Sequence, residues 1–121
     1  MELPKRLKEF VPQVTAICAA QFPKQCNTCG HIFNNFQEFV VGSKNLGTHP
    51  NHHCNPGSLI AYRNCPCGST ITISCTNADI HKVFHCVLDE EVKVSGRSAK
   101  DLLLVLLCEV DSLALEPDSP R

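Results

Sequence analysis

Four cysteines in two tight turns carry the chemistry of this chain. The first turn reads Cys26-Asn27-Thr28-Cys29-Gly30 and the second Cys65-Pro66-Cys67-Gly68. Two thiolates held within one turn can reach a common ion at about 2.3 Å. A glycine after each pair lets the backbone turn so that amide N–H groups point at the sulfurs and stabilise their charge. Four thiolates converging from two such turns close a tetrahedral site with no position left for water or substrate. The expected occupant is Zn2+, one per chain, on Cys26, Cys29, Cys65 and Cys67. A single iron suits the same four sulfurs.

Other residues compete for a place. His31 follows the first turn directly, and His49, His52, His53 and Cys54 crowd the stretch between the turns. If the Cys65-Pro66-Cys67 turn supplies only one ligand, His53 or Cys54 can supply another, or the stretch builds a second site. His81 and His85 lie four apart and share a face if their segment is helical, and such a pair can chelate a metal. No glutamate completes an H-E-x-x-H motif there. Cys18, Cys75, Cys86 and Cys108 fall in apolar or alternating patterns and read as small buried core residues. A thiol-redox pair is the rival reading of the turns. However, a C-x-x-C redox motif follows a strand and opens a helix, whereas Cys26 follows a helix and a proline. An enzyme needs an open metal position and an acid or base beside it. Glu38 and His31 are near the first turn in sequence, but nothing in the sequence places them in a cleft.

Composition narrows the classes. The chain has 121 residues, of which 43% are hydrophobic, which suits one modest core. Formal net charge is −1, from 11 basic and 12 acidic residues, so no basic surplus marks a nucleic-acid footprint. Lys5, Arg6, Lys8, Lys24 and Lys44 remain as a local patch. Tryptophan is absent, which leaves little for stacking bases. The opening residues carry charges and a proline where a signal peptide has its apolar region. The longest apolar run, Leu102 to Cys108, is far short of the ~20 residues of a membrane span. Nine cysteines is an odd number, and without a secretory leader thiols stay reduced. The expected location is the cytoplasm.

The elements that must position the turns follow from periodicity. Leu7, Phe10, Val14, Ile17 and Cys18 recur at spacings of three and four, which predicts an amphipathic helix over 1–22, kinked or divided by Pro12. The stretch from His31 to Val41, rich in Phe and Val, predicts a strand, bulged at Asn34-Asn35. Residues 42–57 predict a long irregular loop. Residues 58–64 predict a short strand, and Ile71 and Ile73 alternate with polar residues in another. Residues 78–88 fit a helix with Ile80, Val83, Phe84 and Val87 inward, or a strand. Ser98 predicts an N-cap for a last helix that is apolar nearly all round its middle and so central or a dimer contact. Residues 117–121 read as a disordered tail.

Residues 22–74, with "FPKQCNTCGHIFNNFQEFV" and "YRNCPCGSTITI", are similar to zinc-ribbon modules. More narrowly they resemble small uncharacterised bacterial zinc-binding proteins with C-x-x-C-G and R-N-C-x-C-G-S-T turns, which accompany signal-transduction components. The second turn is one residue shorter than in the usual ribbon. The resemblance implies a zinc-stabilised sensor, adaptor or interaction module and implies no reaction. The expectation is therefore an α+β fold, with a small zinc-ribbon-like antiparallel β core flanked by an N-terminal helix and C-terminal helices. One domain spans 1–116, with the N-terminal helix in 1–22, the metal-binding core in 23–75 and a helical part in 77–115. The expected function is a non-enzymatic interaction or regulatory module, with a protein partner or self-association through the terminal helices. A redox- or metal-responsive sensor and a nucleic-acid-binding ribbon are the alternatives. No membrane or small-molecule substrate is implied.

Overall fold

The structure, a computed structural model, describes residues 3–50 and 59–116, with side chains left out of account at 44–50 and 59. The fold is α+β, with helices at both ends and two antiparallel sheets between them. The N-terminal segment forms α1 (Lys5–Lys8) and α2 (Val11–Ala19). Pro12 sits in the first turn of α2, where its missing N–H costs nothing, so the proline divides the helix instead of kinking it. A short hairpin follows, β1 (Lys24–Gln25) paired with β2 (Ile32–Phe33). The first cysteine turn is the loop of this hairpin.

The strand expected across His31 to Val41 stops at Phe33, and α3 (Phe36–Gly42) replaces its remainder. The cause lies at Asn34 and Asn35. Asn35 is the N-cap, its side chain accepting a hydrogen bond from Glu38 N at 2.8 Å. Glu38 in turn accepts from Asn34 Nδ2 at 3.2 Å. This reciprocal cap starts a helix whose buried residues Phe36, Phe39 and Val40 recur at helical spacing. Phe39 packs edge-on to Phe33 at 5.1 Å, so α3 closes over the first hairpin.

Part of the expected loop is also a strand. β3 (Lys44–Pro50) pairs antiparallel with β4 (Leu59–Asn64), with a register shift between Asn45 and Thr48. The remainder of that loop, with His52, His53 and Cys54, lies outside the described residues, as does the tail 117–121. β4 pairs with β5 (Thr70–Ser74), giving the order β3-β4-β5. The second cysteine turn is the loop of the β4–β5 hairpin. Gln21, just past α2, donates to Ser74 O at 2.6 Å and accepts from Ser74 N at 3.3 Å. That pair of bonds fastens the outer edge of β5 to the N-terminal helices.

The segment left open between helix and strand is helical. α4 (His81–Ser95) buries Phe84, Val87 and Leu88, with Ile80 partly buried. Val83, expected inward, is exposed: it lies at the flank of the buried stripe, about a quarter turn round α4 from Phe84. Gly96 ends α4 with φ 73, the left-handed cap that glycine tolerates best. Ser98 caps α5 (Ala99–Ala114), accepting from Asp101 N at 3.1 Å. α5 is central. Leu102, Leu103, Leu106, Leu107, Val110 and Ala114 are buried against α2, α3, α4 and the sheet. Of the four cysteines expected in the core, Cys18 and Cys75 are buried, whereas Cys86 and Cys108 are exposed. The pattern could not separate them, since an exposed and a buried cysteine look alike within an apolar helix run.

Arg63 ties the sheet to this core. It is 7% exposed, and Nη1 donates to Asp111 Oδ2 on α5 at 3.0 Å. Nη2 donates to Val40 O at 3.0 Å and Ser43 O at 3.1 Å, and Nε to Ser43 Oγ at 2.6 Å. The guanidinium thus satisfies carbonyls at the C-terminal end of α3 and complements that end of its dipole. The second cysteine turn begins two residues further along β4.

Candidate metal centre

Both turns are built on one backbone plan. In the first, Cys26 N donates to His31 O at 2.8 Å and Gly30 N to Cys26 O at 2.9 Å. In the second, Cys65 N donates to Ser69 O at 2.8 Å and Gly68 N to Cys65 O at 2.8 Å. Each outer bond closes the hairpin and each inner bond closes the turn. The first turn returns to its opening cysteine after four residues and the second after three. The missing residue is absorbed by that tighter inner turn, and the hairpin closure is kept. Gly30 at φ 80 and Gly68 at φ 99 take the left-handed conformation that both turns require.

The two hairpin ends face each other. Cys26 Sγ lies 3.6 Å from Cys67 Sγ, and Cys29 Sγ lies 3.6 Å from Cys65 Sγ. All four sulfurs lie within 4.8 Å of one another. A regular tetrahedron with a metal–sulfur bond of about 2.3 Å has sulfurs about 3.8 Å apart. The cross-turn pairs match that edge and are far outside covalent S–S bonding, so the four residues are free thiols arranged as a ligand set. The Ser69 and Thr28 hydroxyls, 2.6 Å apart, join the two turns beside the sulfurs.

The electrostatics separate the four. The backbone N–H of Cys29, then that of Thr28, hold the Cys26 thiol below its ordinary range. The backbone N–H of Ser69, then its hydroxyl, bring Cys67 down to about 6. At Cys65 the N–H of Cys67 acts in the same direction, but burial and the neighbouring thiols outweigh it and push Cys65 up to about 12. Four thiolates this close repel one another, and a divalent cation among them is what allows all four to ionise together. Cys26 and Cys65, the first of each pair, are buried, whereas Cys29 and Cys67 are exposed. The centre therefore sits at the surface with two sulfurs shielded and two open to solvent.

The structure brings Cys26, Cys29, Cys65 and Cys67 together and leaves His31 out. His31 is exposed, and its ring packs edge-on to Phe33 at 4.5 Å. Its contribution is its carbonyl, which closes the first hairpin. His53 and Cys54 lie outside the described residues. Among the described residues the four cysteines are the one group of three or more His, Cys, Asp or Glu side chains gathered closely enough to hold an ion. Glu38 is engaged at the start of α3, where it accepts a hydrogen bond from Asn34 Nδ2 at 3.2 Å. Sequence reasoning missed Arg63, Thr28 and Ser69, because polar residues beside a cysteine turn carry no spacing signal of their own.

No family model, curated protein or solved structure matches this chain. Among the described residues no helix is long and apolar enough to cross a membrane.

Proposed function

We propose that Cys26, Cys29, Cys65 and Cys67 hold one Zn2+ as a closed structural site in a non-enzymatic, zinc-ribbon-like interaction module. The observation that carries this reading is the convergence of four sulfurs from two hairpin loops at nearly tetrahedral spacing. Four protein ligands leave no vacancy for a substrate, so the metal serves the fold. Thiolates of this kind persist in a reducing compartment, which supports a cytoplasmic setting. A protein partner is the expected one, with regulation or signalling as its setting. The apolar run of α5 is mostly engaged inside the chain, so a partner on that helix meets Leu104, Val105 and Cys108. A nucleic-acid partner has weaker support. Arg6 pairs with Glu90 and Lys8 with Glu109, which neutralises two of the five candidate cations. Replacement of the native metal by Co2+ tests the site. Tetrahedral four-thiolate coordination gives strong charge-transfer and visible d–d absorption, and a weak octahedral spectrum contradicts it.

The exposure of Cys29 and Cys67 favours a second reading, a redox-responsive centre. Peroxide can reach these sulfurs. Two zinc-bound thiolates, one H2O2 and two protons give one disulfide and two waters, and Zn2+ is released. The 3.6 Å pairs Cys26–Cys67 and Cys29–Cys65 are the partners for such a bond. Zinc release measured with a chromogenic chelator during peroxide titration checks this reading, which fails if exposed Cys86 and Cys108 are consumed with all zinc retained.

A further inference from the structure

His81 and His85 stand one turn apart on α4, a spacing that stacks side chains on one face of a helix. Their ring centroids are 4.8 Å apart, with planes inclined by 58°. An imidazole nitrogen binds a divalent transition metal at about 2.05 Å, which puts the ion roughly 3.2 Å from the ring centroid. For two rings sharing an ion, a separation of 4.8 Å then corresponds to an N–metal–N angle of roughly 97°. That value falls between the cis angle of an octahedral site and the tetrahedral angle.

A second observation concerns His85 Nε2. The atom is enclosed and has no hydrogen-bond partner. Buried imidazole nitrogens ordinarily have one, and an orphan calls for an occupant such as an ion or water. Phe84 lies edge-on to the His85 ring at 5.3 Å and limits its orientation. Burial, then the neighbouring His81, hold His85 below the usual imidazole range, which keeps it neutral and able to ligate at physiological pH. Asp89, one turn further on, acts on His85 with a negative charge that also favours a cation.

The geometry points to a second metal site on α4, in which His81 and His85 chelate one imidazole-preferring divalent cation such as Ni2+ or Zn2+. Among the described residues no third Cys, His or carboxylate joins them at the spacing that gathers the four cysteines. Water completes the coordination on the side of His81, which is partly exposed. This site shares no ligand with the cysteine centre and is its chemical opposite, two neutral nitrogens and open positions against four thiolates and none.

The test is calorimetric titration of the full chain, purified with its native metal, with Ni2+ as the probe. Wild-type protein is expected to take up Ni2+ in an event whose affinity falls by at least about tenfold in His81→Ala and in His85→Ala, each removing one of two ligands. The His52→Ala/His53→Ala variant keeps the event. His81→Ala changes a partly exposed residue and preserves the fold, so it stands even if His85→Ala is destabilised. No Ni2+ uptake by wild type, unchanged affinity in His81→Ala, or loss of the event in His52→Ala/His53→Ala overturns the assignment. Native metal content of the same samples reports the cysteine centre separately.

Discussion

At the residue scale, the four cysteines were legible because a metal site imposes both residue type and spacing. Arg63 was not, because its role depends on groups 20 to 48 residues away that only the fold brings near. Magnitudes separate it from the other ion pairs. Arg6 and Glu90 are both about half exposed, and such pairs contribute about 0–1 kcal/mol. The Arg63–Asp111 pair is mostly buried and three more of its bonds go to Val40 and Ser43. Arg63→Met leaves those carbonyls unpaired and Asp111 without its counter-charge, for an expected loss of about 3–5 kcal/mol in urea unfolding. Arg63→Lys fails to rescue it, because an ammonium cannot make the forked contacts. The double variant Arg63→Met/Asp111→Leu recovers part of the loss. Gly68→Ala probes the turn itself. An added Cβ meets nothing within 4 Å, so its cost is confined to the backbone at φ 99. About 1–2 kcal/mol, or roughly tenfold in zinc affinity by competition with a chelator, is expected.

At the element scale, the β4–β5 hairpin followed from alternation and from its turn, whereas β1, the two-residue strand that opens the first hairpin, was not expected. The strand expected after the first turn proved to be mostly α3. The Phe-Val composition of His31 to Val41 suits a strand, but Asn35 and Glu38 form a cap, and Phe36, Phe39 and Val40 lie on one helical face. A helix-start signal four residues long, from Asn35 to Glu38, outweighed a composition signal spread over eleven. β3 escaped notice for the opposite reason, since Gly, Asn and Pro are poor strand formers and its pairing with β4 decides its conformation. Asn35→Ala removes the cap and is expected to cost about 1 kcal/mol by thermal or denaturant unfolding. Its zinc content stays at the wild-type level, because α3 packs behind the hairpin without contributing a ligand.

At the scale of the whole molecule, two kinds of stabilisation meet. One is an apolar cluster running from Leu3 to Ala114, with α5 at its centre. The other is the cysteine centre, which joins two hairpin ends far apart in sequence. The apolar cluster was legible as helical periodicity, whereas the closeness of the hairpin ends was legible only through the chemistry they share. Removal of metal from the proposed site is expected to release the hairpin ends while the apolar contacts of α2, α4 and α5 remain. Chelation is therefore expected to lower the thermal midpoint while helical circular dichroism at room temperature is largely retained. Acid acts in the same direction, because protonated thiols no longer bind metal, and the midpoint recovers when zinc is restored at neutral pH.

The most direct measurement is metal content per chain, by elemental analysis of protein purified without added metal, for wild type and Cys65→Ser. Cys65 is the least accessible partner of the shortened turn, so its loss leaves three ligands and an open side. One zinc per chain in wild type and substantial loss in Cys65→Ser is the expected result. Wild-type protein without bound metal, or full zinc retention in Cys65→Ser, contradicts a closed four-thiolate centre.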